Sequence, residues 1–135
     1  MKNTLTIITM LSILSTGVMA ASSNPKIHCS GQAEYGRVEI LELDISDKKI
    51  SIKYSVEGAQ PLTNEYITTE FFDKNGRTDL KKPAYAIGGT KSGEKTDYDD
   101  ISLPHYGLYK SGLGSEIAFN HKSKRVFGTV SCRQE

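Results

Sequence analysis

Carboxylates crowd one stretch of the chain, at Glu94, Asp97, Asp99 and Asp100. Such a cluster is the hard-oxygen chemistry that calcium uses, taking about six to eight ligands. The run lacks the central glycine and the distal glutamate of an EF-hand loop, so Asp97, Asp99 and Asp100 are calcium candidates on composition alone. A solvated acidic loop holding no metal is the expectation. His28, His105 and His121 are scattered, none at ligand spacing from another, and they read as ordinary surface or satisfied side chains. Nucleophile patterns also fail on their chemistry. Ser46-Asp47-Lys48-Lys49 and Ser92-Gly93-Glu94-Lys95 both match Ser-x-x-Lys, but that chemistry needs its serine at a helix start, and neither segment reads as helix. Gly88 and Gly93 have phosphate-loop separation, yet Glu94 and Lys95 follow where a lysine and a hydroxyl belong. No catalytic constellation emerges, so the protein is expected not to be an enzyme and to need no cofactor.

Two segments point to binding. His121-Lys122-Ser123-Lys124-Arg125 is the basic cluster, and His121, Lys122, Lys124 and Arg125 form a candidate patch for an anionic surface or an acidic protein. Tyr98, Tyr106 and Tyr109 fall with Pro104 and several glycines in a segment that reads mostly as loop. Tyrosine supplies contact area at small entropic cost, so these rings either meet a partner or cap one end of the core.

The elements that must position these residues begin after residue 20. Residues 1–20 carry one charge, Lys2, then the apolar Ile7, Ile8, Leu11, Ile13 and Leu14, and end Val18-Met19-Ala20, the pattern of a secretory signal cut after Ala20 or Ala21. The apolar run is short and broken by Thr9, Ser12, Ser15 and Thr16, so cleavage is expected rather than a membrane span. The full chain has 17 basic and 16 acidic residues, and losing Lys2 leaves the exported part formally neutral. Neutrality excludes the broad basic face that nucleic-acid binding needs. A periplasmic or secreted location follows from the signal, and in such an oxidising place the two cysteines, Cys29 and Cys132, are expected to form a disulfide.

Residues 21–26 read as a flexible leader, and 27–135 as a single all-β domain. Ile27 and Cys29 open the first strand. Ile50, Ile52, Tyr54 and Val56 alternate with polar residues, placing them on one strand face. Val38 and Ile40 are out of phase with Leu41, Leu43 and Ile45, so a bulge is expected near Ile40 and Leu41. Ser46 to Lys49 reads as a hairpin turn, and Asp73-Lys74-Asn75-Gly76 as another, after a strand over 66–72. The return strand is less regular, with Thr78, Leu80, a break at Pro83, and then 84–87. Residues 88–95 read as a glycine-containing loop, 101–103 as a strand ended by Pro104, and 117–119 as a further strand. A turn over 120–124 leads into a last strand with Val126, Gly128, Val130 and Cys132 on one face. Seven or eight mostly antiparallel strands fit a β-sandwich or a small barrel. A disulfide between the first and last strands leans toward the barrel, since closure joins those two.

In outline the chain resembles the exported C-type lysozyme inhibitors, which are small, β-rich and cross-linked between cysteines near both ends. The resemblance implies a loop entering the lysozyme cleft, carried in that family by Ser-Gly-x-x-Tyr; here Ser92-Gly93 is followed by Tyr98, two positions later than in the family. Three functional classes follow. The first is a binding or inhibitory interaction module using Ser92, Gly93, Tyr98, Tyr106 and Tyr109. The second is a lipocalin-like carrier of a small apolar ligand, which needs a dry cavity beside Ile52, Tyr54 and Val130. An enzyme is the third.

Overall fold

Period-two alternation resolves into eight strands: β1 (Ile27–Ala33), β2 (Val38–Ile45), β3 (Lys49–Val56), β4 (Leu62–Phe71), β5 (Tyr85–Thr90), β6 (Asp100–Tyr106), β7 (Leu113–His121) and β8 (Lys124–Gln134). The structure is a computed structural model describing residues 26–72, 85–107 and 112–135. Expectations for the signal, most of the leader, Tyr109, the turn at 73–76, and Thr78, Leu80 and Pro83 lie outside the described residues. Each strand pairs antiparallel with its neighbour in sequence, and β8 returns to pair with β1, so the sheet is a closed barrel rather than a sandwich. Each described strand therefore has a neighbour on both sides.

The disulfide forms between Cys29 and Cys132, which are direct partners in the β1–β8 ladder. Glycines make this seam tight. A Cβ on Gly128 would meet the Gln32 carbonyl oxygen and stand 2.6 Å from Ala33 Cα, while one on Gly31 would collide with the Thr129 carbonyl and sit 2.8 Å from Val130 Cα. Only hydrogen fits there.

Inward phases follow the pattern. Ile50, Ile52 and Tyr54 are buried on β3, and Val126 and Val130 on β8. The β2 register slips between Ile40 and Glu42 against β3, which puts the bulge at Leu41 and keeps both Ile40 and Leu43 inside. Tyr54, Tyr66, Tyr106 and Phe119 are the bulkiest fully buried side chains, and the Tyr54 and Phe119 rings meet edge to face at 4.9 Å.

Two segments depart from the sequence reading. Gly88 and Gly89 belong to β5, not to a loop. At Gly89 a Cβ would lie 2.8 Å from the Ile67 carbonyl oxygen and 3.2 Å from Ile50 Cδ1, so glycine is there because β4 and the core crowd its backbone. Pro104 does not end β6, which continues to Tyr106. It falls at the irregularity between Tyr85 and Ile87 in the β5 pairing, and beyond the β7 register of Ile101–Phe119 and Ser102–Ala118. A proline without an N–H is tolerated where the ladder is already interrupted.

Candidate functional site

The β5–β6 loop, residues 91–99, is built around one carboxylate. Asp97 Oδ2 accepts the Ser92 N–H at 3.0 Å and Oδ1 accepts the Asp99 N–H at 3.0 Å. The Asp99 amide bond above all, then those from Ser92, hold the Asp97 carboxyl below its usual range. Lys91 N–H donates to the Asp99 carbonyl at 3.0 Å, pinching the loop base, and Gly93 supplies a left-handed turn at φ +84°. Tyr98 then projects with 92% of its surface exposed. A large ring so exposed adds nothing to the core.

This loop is fastened to the β7–β8 hairpin. The Tyr98 carbonyl accepts Asn120 Nδ2 at 2.7 Å. Arg125 reaches across with both terminal nitrogens, at 2.9 and 3.3 Å from the two Asp100 carboxylate oxygens, and also donates to the Asp100 carbonyl and to Asn120 Oδ1. Such a fork fixes orientation as well as charge. The hairpin turns through Lys122 and Ser123, with φ of 48° and 64°, the doubly left-handed pattern of a type I′ turn.

Beneath these two segments lies a polar cluster. The Tyr54 hydroxyl and His121 Nδ1 are 2.8 Å apart, and Asn64 Nδ2 donates to the Tyr66 hydroxyl at 3.3 Å and to the Asn120 carbonyl at 3.4 Å. Burial raises both the Tyr54 and Tyr66 hydroxyls above the ordinary phenol range, opposed by the Asn64 bond and reinforced by the Asp99 charge. Both phenols are therefore neutral at physiological pH and serve as hydrogen-bonding groups, not bases. Lys91 Nζ stands 4.9 Å from the Tyr66 ring centre. An open cleft of about 320 Å³ overlies the cluster, walled by Tyr54, Leu62, Asn64, Asp99, His121 and Lys122.

The barrel thus brings together Ser92, Gly93 and Tyr98 with His121, Lys122, Lys124 and Arg125, two segments that are separate in sequence. The charges partly cancel where they meet. Arg125 is consumed by Asp100, so the basic patch narrows to the exposed Lys122 and Lys124 beside His121. Of the calcium candidates, Asp97 accepts two backbone amides and Asp100 is paired with Arg125, while Asp99 lies between them on the loop. Among the described residues no group of three or more His, Cys, Asp or Glu is placed to hold a metal. Tyr106 is corrected as a contact residue, because its ring is 0% exposed and packs 6.2 Å from Phe72. Its hydroxyl has no hydrogen-bond partner among the described residues, and burial pushes it up to about 12.

The Tyr54, Asn64, Tyr66 and Asn120 cluster escaped the sequence reading. One signal pointed to it: Asn64 shares the inward phase of Tyr66 two residues on, and an amide on an inward phase must find partners. Comparison with known proteins returns no matching family model, no matching curated protein and no matching solved structure.

Proposed function

We propose that the barrel is an exported binding or inhibitory module that acts in the periplasm or outside the cell, presenting the 91–99 loop and the adjoining hairpin to a protein partner. The observation carrying this reading is Tyr98, 92% exposed on a loop whose base is fixed by Asp97 and whose flank is tied to Asn120 and Arg125. A ring held out on a pre-ordered loop loses little entropy when a partner covers it. Where a carrier would need an empty interior, Ile52, Tyr54 and Val130 belong to one packed core, which favours the module over the carrier. The resemblance to lysozyme inhibitors bears on the same residues, since Ser92, Gly93 and Tyr98 share this loop.

Replacing Tyr98 by a photo-crosslinking residue in the native host tests the reading, with the outward Lys53 of β3 as the control position. The module predicts a discrete protein adduct from position 98 and none from 53. No adduct from 98, or the same adducts from both, would overturn it. The inhibitor version has its own assay: clearance of a bacterial suspension by C-type lysozyme should slow when the purified protein is in molar excess, and unaltered clearance removes that version.

A further inference from the structure

We propose that the outer face formed by β1, β7 and β8 is a second docking surface, one that takes a lysine or arginine side chain from a partner's basic segment. None of its residues belongs to the 91–99 loop. The connection from β1 to β2 passes through Glu34, Tyr35 and Gly36 with φ of 49°, 57° and 88°, three consecutive left-handed residues. Glycine takes that conformation freely, whereas a glutamate and a tyrosine take it against their side-chain sterics. Tyr35 recovers nothing from the fold, because its ring is fully exposed. Strain that holds an unpacked aromatic ring in water calls for a reason outside the fold.

The neighbouring surface supplies that reason. Tyr35 and Phe127 line one open groove of about 670 Å³, and Phe127 points outward from β8 at 62% exposure. Across the wall of this groove Glu116, Thr129 and Gln32 stand side by side as register partners on β7, β8 and β1. Among the described residues the groove is lined by Glu34 and Glu116 and by no lysine or arginine. Neither carboxylate has an ion pair among the described residues, while the nearby Arg37 is occupied by Glu57 at 2.6 Å. Two aromatic faces with two unpaired carboxylates complement a cation carried on an aliphatic stem: the stem lies on the rings and the charge meets the glutamates. A neutral or acidic segment would leave the carboxylates facing apolar or like-charged groups.

The test is an amide-resolved NMR titration of the whole exported chain with the peptide Gly-Arg-Gly-Arg-Gly, with its citrulline counterpart as the uncharged control. Saturable shifts are expected at Gln32, Glu34, Tyr35, Glu116, Phe127 and Thr129, with none from citrulline. Tyr35→Asn keeps a residue that accepts the left-handed backbone, and it should weaken binding by about threefold to fivefold with the melting temperature preserved. Glu116→Gln should weaken it similarly. No shifts at millimolar peptide, equal shifts with citrulline, or shifts confined to residues 94–100 would overturn the assignment. So would shifts at these amides that depend on protein concentration without peptide, since a second copy would then be the occupant.

Discussion

Removing the disulfide should be among the most costly small changes this fold can suffer. Cys29 and Cys132 are 103 residues apart in sequence, and a bond closing a loop of that size lowers the unfolded chain's entropy by about 4.7 kcal/mol at 25 °C. The native side offsets little of this. The two residues are already partners in the β1–β8 ladder with Cα atoms 4.1 Å apart, so the bond joins positions the barrel brings together anyway. Cys29 is only 1% exposed, and alanine there loses a small volume. A double variant, Cys29→Ala with Cys132→Ala, is therefore expected to lose about 3–5 kcal/mol. With an unfolding entropy of about 2.1 cal/mol/K per residue over the 27–135 domain, that becomes a fall of about 12–21 °C in Tm. Thermal melts followed by circular dichroism read the shift. Urea titration should also give a larger m-value for the variant, because its unfolded chain is no longer cross-linked. A fall under about 5 °C would refute the entropic reasoning, and two titratable thiols in the folded oxidised protein would refute the bond.

Three further outcomes follow from single sites. Tyr106→Phe removes a buried hydroxyl that has no partner among the described residues and should stabilise the barrel by about 1 kcal/mol in urea titration. Because burial pushes that phenol up to about 12 in the fold while it ionises near 10 when unfolded, its ionisation leaves stability unchanged below about pH 10 and takes stability away as pH rises from 10 toward 12. Alkaline unfolding should accordingly be shallower in the variant, and an identical pH profile contradicts the assignment. Gly128→Ala drives a methyl to 2.6 Å from Ala33 Cα, where only backbone can give way, and should cost about 3 kcal/mol or more by chemical denaturation; a near-neutral result contradicts the β1–β8 register. Asp97→Ala should speed amide exchange at Ser92 and Asp99 while moving Tm by less than about 2 °C, since the bonds it removes are confined to an exposed loop.

What was legible in the sequence was whatever one strand decides for itself. The β3 alternation needs no neighbour to be read, and the phase slip between Ile40 and Leu41 announces a bulge from side-chain polarity alone. The cysteine pair was legible because a count of two near the chain ends leaves one bond to make. Features set by a neighbouring strand were not. Gly88 and Gly89 look like loop until β4 is seen pressing its Ile67 carbonyl onto the second of them. Pro104 looks like a strand end until the ladder on both sides is seen to be interrupted there. Tyr106 looks like a loop aromatic until Phe72 is placed against it. At the candidate site, Tyr98 was readable only as a loop aromatic that either meets a partner or caps the core, and its coupling to the basic hairpin depends on Arg125 crossing to Asp100, which no local pattern encodes. Tyr35 drew no attention because backbone strain has no sequence signature outside glycine.

On the proposed function, the barrel works through its 91–99 end by holding another protein, with its interior filled by its own side chains. Purification of the endogenous protein under native conditions, followed by mass spectrometry of the intact species and of whatever leaves it on denaturation, decides between a protein partner and an apolar ligand. A stoichiometric protein partner that is lost when Tyr98 is replaced by alanine is expected, and no small apolar molecule. A lipid or other apolar ligand released in stoichiometric amount, from wild type and the Tyr98→Ala protein alike, would contradict it.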